Sequence, residues 1–189
     1  MKTLYFYVGS ERCGFTFVQC FFNAPEVIET LTRFSIRFDI EIYYALGKIL
    51  PVPGLEARLA AIRDRYFSPH KSADHNAVFT TQELMFGLVH EYGKPNCCEA
   101  NCAKIQFLGE GFDIRPIIVL RRQDLFLEFL YNQSLKHGES RKFISFVHAL
   151  PLDNFHWNDV VETYIENFGA DKVTVVPFAK MVLEAADRV

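Results

Sequence analysis

The 189-residue chain has no apolar run long enough to cross a bilayer, which takes about 20 predominantly apolar residues in succession. It also lacks a strong excess of one charge. Its 20 Lys+Arg against 23 Asp+Glu leave a net −3, so composition gives no reason for a nucleic-acid or acidic-membrane partner. No basic stretch followed by an apolar one and a small-residue cleavage site opens the chain, and the expectation is a cytoplasmic protein. A paired-cysteine framework is missing too. The five cysteines, Cys13, Cys20, Cys97, Cys98 and Cys102, are an odd number in a long chain. The cluster "CCEANC" has no second pair to complete the four ligands of a zinc site, so it reads as free thiols near a helix start, with no metal. No repeat, low-complexity tract or linker divides the chain. Residues 1–189 read as one domain, large enough to bury about 70% of the surface the unfolded chain exposes.

What is present is apolar and aromatic: half the residues are apolar and 19 are Phe. Strand-like and helix-like segments alternate. "TLYFYV" is a β-branched and aromatic run ending at Gly9, which suits a buried strand. A helix is predicted from about Thr16 to the residues before Pro25, and Pro25 opens a second helix, "PEVIETLTRF". "FDIEIYYAL" fits either state. "GLEARLAAIRDRYF" is amphipathic, with Leu55, Leu59, Ile62 and Tyr66 at helical spacing. "NAVFTT" reads as a strand, "QELMFGLVHEYG" as a helix, and "DIRPIIVL" as a further strand. "RQDLFLEFLYNQSLKHG" and "WNDVVETYIENFG" are helices closing on Gly138 and Gly169, and "KVTVVPF" is a last strand before a short helix. Strands separated by helices imply right-handed crossovers and an α/β fold with a mainly parallel sheet.

The first strand leads into "VGSERCGFTF", whose frame G-x-x-x-x-G-x-T is that of a phosphate loop with Phe15 in the lysine position. Gly9 and Gly14 allow close backbone approach, and the loop's backbone N–H groups can turn inward. Thr16 offers a hydroxyl and Arg12 a positive charge in place of the lysine. A nucleotide hydrolase that needs the lysine on its β- and γ-phosphates is disfavoured. The loop by itself reads equally as a phosphate cradle or as a glycine turn joining strand to helix.

A second segment, "PIIVLRRQDLFLEFLYNQSLKHG", resembles the second cofactor-binding segment of the sulfotransferases, particularly bacterial ones acting on carbohydrates. "TYIENFGADKVTVVPF" is similar to that family's late helix, FG turn and strand. The resemblance implies a three-layer, P-loop-like fold with a mainly parallel sheet flanked by helices. It also implies 3′-phosphoadenosine-5′-phosphosulfate as sulfuryl donor and a hydroxyl acceptor, a carbohydrate or another small molecule. It assigns Gly9, Ser10, Arg12, Cys13, Gly14, Phe15 and Thr16 to the 5′-phosphosulfate loop, and Arg121 to the 3′-phosphate. Arg122 is expected to face solvent or pair with Asp124. Departures from the pattern mark a degenerate or short member. Phe129 stands where the family has a serine eight residues after the arginine, Cys13 and Phe15 replace Ser or Thr, and Gln82 occupies the glutamate position of an "SSE"-like segment.

Sulfuryl transfer needs charge neutralisation at the bridging oxygen and a base for the acceptor hydroxyl. Arg12 suits the first task and Glu83 is the candidate for the second, with His70 and His75 as alternatives. Phe129 is expected in the core and Tyr131 in helix packing. Two readings stand: a sulfotransferase, and a sulfotransferase-like binding or interaction protein without transfer activity.

Overall fold

A computed structural model describes residues 1–9, 31–35, 54–72, 76–80, 97–150, 152 and 156–179. Among them five strands form one parallel sheet: β1 (Lys2–Gly9), β2 (Leu31–Ser35), β3 (Asn76–Thr80), β4 (Phe112–Leu120) and β5 (Thr174–Pro177), in the order β2-β3-β1-β4-β5. The described helices are α1 (Leu55–Ile62), α2 (Cys97–Leu108), α3 (Gln123–Lys136), α4 (Phe143–His148) and α5 (Trp157–Phe168). The α/β fold with a parallel sheet flanked by helices, expected from the alternation of segments, is the fold observed.

Alternation along the strands assigns the two faces of the sheet. Leu4, Phe6 and Val8 of β1 and Ile118 of β4 are fully buried on one face, in a core shared with residues of α1 to α5. Phe67 reaches that core from a single π-helical turn, Arg63–Phe67, that continues α1, and its ring stacks on Phe6 at 6.3 Å. Each fully buried Leu, Val or Phe contributes roughly 1.5–3 kcal/mol relative to exposure, so this layer is a large source of stability among the described residues. Tyr7 and Val119 are buried on the opposite face, where Ile117, Val176 and Phe178 pack against them.

The helix ends follow local chemistry. α3 stops at Gly138, whose φ of 94° is one a side chain resists. There the Gly138 N–H donates to Leu135 O and the Glu139 N–H to Ser134 O, a Schellman arrangement that satisfies the last carbonyls. α5 closes on Gly169 at φ 95°, and the short turn that follows feeds β5. At the end of α2, the Phe112 N–H donates to Gly109 O at 2.9 Å, which turns the chain into β4.

One expectation is corrected. The helix predicted over "PEVIETLTRF" does not run to its end, because Leu31–Ser35 is a strand that pairs residue for residue with Asn76–Thr80. Thr32 and Phe34 tolerate extended backbone, and the ladder with β3 outweighs a weak local helical preference. α4, over "FISFVH", is an element the sequence pattern did not announce.

Candidate functional site

The strand order locates a crevice. β1 leads toward β2 on one side and β4 toward β5 on the other, so the chain reverses direction between two adjacent strands. In open parallel sheets the carboxyl ends at such a reversal are where ligands bind. Gly9, buried at the end of β1, is in register with Val119, and Arg121 directly follows Leu120, the last residue of β4. Gly9 and Arg121 therefore come together at neighbouring strand ends. Ser10, Arg12, Cys13, Gly14, Phe15 and Thr16 lie outside the described residues, as do Glu83 and His75.

The turn after β4 is built to present Arg121. Arg122 is the extended residue before α3, with φ −52° and ψ 137°, and its carbonyl accepts the Phe126 N–H at 2.9 Å. The positive end of α3 thus faces the carboxyl edge of the sheet. Arg122 turns away and pairs with Asp124 at 2.5 Å, as expected, both side chains being largely exposed. That guanidinium, together with the Leu125 N–H, holds the Asp124 carboxyl below its ordinary value.

Arg121 behaves differently. Its residue is half-buried, and its Nε is sealed from solvent without a hydrogen-bond partner among the described residues. Its guanidinium carbon lies 5.5 Å from the centre of the Phe178 ring, a cation–π distance. Its backbone carbonyl accepts the Trp157 Nε1–H at 2.8 Å. A buried N–H without an acceptor costs about 1–3 kcal/mol, and a phosphate oxygen is the kind of acceptor a guanidinium fork takes. The orphaned Nε therefore fits an anionic ligand at this strand end.

The position eight residues on does not share in this. Phe129 is 9% exposed and belongs to the core on the other face of the sheet from Phe178. Tyr131 packs on Phe143 and Phe146, each ring centre 5.3 Å away, and its hydroxyl donates to Arg141 O. His70, an alternative base in the sequence reading, is followed by Lys71, whose side chain an added Cβ at Gly111 would meet at 3.3 Å. Partial burial holds the His70 pKa below the usual histidine value.

Trp157 and Phe178 are site neighbours that the sequence reading did not single out. Trp157 is the chain's one tryptophan, and it is brought to Arg121 from 36 positions away, which no linear spacing signals. Cys98 is a half-buried thiol and Cys102 a buried one. Among the described residues no group of three or more His, Cys, Asp and Glu side chains could hold a metal ion. Among them, too, no helix is long and apolar enough to cross a membrane.

The chain is similar in structure to a sulfotransferase from Alicyclobacillus acidocaldarius, with a TM-score of 0.59 and 14% sequence identity, over 99% of this chain and 77% of that one. At that identity the likeness shows a shared fold. No family model matches the chain, and no curated protein does.

Proposed function

We propose that this protein is a sulfotransferase that moves a sulfuryl group from 3′-phosphoadenosine-5′-phosphosulfate to a hydroxyl of a carbohydrate or other small acceptor. The observation that carries the reading is Arg121, a half-buried residue at the sheet's reversal point whose Nε has no hydrogen-bond partner among the described residues. The sulfotransferase fold of the structural neighbour supports it.

When bound, the donor supplies a sulfuryl group activated on a phosphate. Arg121 would hold the 3′-phosphate through its fork of N–H donors. Backbone N–H groups from Gly9 to Thr16, with Arg12 and the Thr16 hydroxyl, would hold the 5′ end and offset negative charge on the leaving oxygen. Glu83 would accept the proton as the acceptor oxygen forms its bond to sulfur and the bond to the phosphate oxygen breaks. The second product is adenosine 3′,5′-bisphosphate.

A second reading, binding without transfer, has one observation in its favour. Phe129 is packed in the core where the family's serine would contact the 3′-phosphate. A transfer assay with labelled donor and a panel of carbohydrate and phenolic acceptors separates the two. Label appearing in an acceptor supports the enzyme. Bisphosphate binding with no transfer to any acceptor supports the binding protein.

A further inference from the structure

Three segments meet at the β4–α3 turn, and only one of them carries the arginine. Trp157 opens α5 and Phe178 follows the last residue of β5. The Trp157 ring meets Phe126 of α3 edge-on at 5.3 Å, so the indole rests on the first turn of that helix. Packing alone would be met by any large ring. Its Nε1–H does something more specific, since it donates at 2.8 Å to the carbonyl of Arg121 itself. Fixing that carbonyl fixes ψ at residue 121 and limits the directions in which its Cα–Cβ bond can point. From the other face of the sheet, the Phe178 ring lies 5.5 Å from the guanidinium carbon and limits the far end of the same side chain.

We propose that Trp157 is a positioning residue for Arg121, acting through the backbone carbonyl, with Phe178 as the plate against which the guanidinium rests. Neither residue need touch a ligand. An arginine has rotamer entropy to lose on binding, and a side chain held beforehand loses less of it. The inference rests on the proposed function only for the identity of the ligand, since the restraint belongs to the protein alone.

The test uses the full chain and Trp157→Phe, which keeps a ring against Phe126 and deletes the N–H. Hydrogen exchange at the Arg121 Nε–H, assigned by its loss in Arg121→Lys, reads the restraint without any ligand. Exchange should be at least about tenfold faster in Trp157→Phe than in wild type, with the core amides of β1 unchanged. Equal rates would overturn the proposal, and so would acceleration spread through the core. Binding of adenosine 3′,5′-bisphosphate gives an independent arm. Trp157→Phe should weaken it by about threefold to tenfold, an effect that vanishes in an Arg121→Ala background. The same loss in both backgrounds would mean that Trp157 does not act through Arg121. Absence of binding by wild type would refute the proposed ligand, while the exchange rates would still decide the positioning role.

Discussion

Gly9 stands opposite Val119 in the β1–β4 ladder, two residues before Arg121. Adjacent strands are about 4.8 Å apart and each residue advances about 3.3 Å, so the backbone at the start of the glycine loop and at the arginine lies roughly 8 Å apart, a span that two phosphates of one nucleotide can bridge. That closeness comes from the β2-β3-β1-β4-β5 order and would be lost if the two strands were not neighbours.

Phe129 tests whether the family's missing serine contact can be restored. Phe129→Ser should cost about 3–5 kcal/mol of stability, as large-to-small core changes do, because the side chain is buried among the core of α3 and β1. Chemical denaturation would measure the cost. A Phe129→Ser protein as stable as wild type would show that the position is not in the core.

Gly109 at the α2–β4 turn offers a packing test. A Cβ there would lie 2.6 Å from Ile114 Cδ1, closer than carbon atoms approach. Gly109→Ala should destabilise by about 1–3 kcal/mol, as overpacking does. Combining it with Ile114→Val, which removes the clashing methyl, should cost less than the sum of the two single changes in the same unfolding experiment.

Four strands were legible because β1, β3, β4 and β5 are apolar runs bounded by turn residues or helical patterns. β2 was not. "LTRFS" is five residues long with polar residues at Thr32, Arg33 and Ser35 and no strand-like alternation, and among the described residues it pairs with β3 alone. Its state is decided by a partner more than 40 positions away, which a local pattern does not contain. β4 was read as a strand despite Pro116, which stands opposite Phe6 of β1 one residue before pairing with β5 begins at Ile117. The place of Arg121 just after a buried strand was legible. Trp157 and Phe178 were not, because their relation to Arg121 exists only once α5 and β5 have folded back onto the sheet.

Asn101 is fully buried in α2, and both polar atoms of its amide lack hydrogen-bond partners among the described residues. Its desolvation is uncompensated there. Asn101→Leu, which keeps the number and branching of the side-chain heavy atoms, should raise stability by about 1–3 kcal/mol, read as a higher denaturation midpoint at unchanged slope. A loss of stability would mean that the amide is engaged.

Glu139 closes the α3–α4 corner. It accepts from the Arg141 guanidinium and from the Arg141 and Ser140 N–H groups, which lower its pKa from 4.5 to about 2. Since the folded value is the depressed one, its contribution is fully present above pH 4.5 and is lost as pH falls toward about 2. Carboxyl titration by NMR should give a midpoint near 2 for Glu139, moving toward the ordinary value in Arg141→Ala. A midpoint near 4.5 in wild type would contradict the geometry of the corner.

The central claim is that the strand ends of β1 and β4 together bind a nucleotide carrying phosphates at both its 3′ and 5′ positions. Calorimetric titration with adenosine 3′,5′-bisphosphate tests it without needing the acceptor. Wild type should bind, and Arg121→Ala should bind about tenfold to a hundredfold more weakly, the worth of a charge-assisted hydrogen bond, with Arg12→Ala also weakened at matched salt. No binding by wild type at roughly millimolar ligand, or equal binding by both variants, would contradict the account.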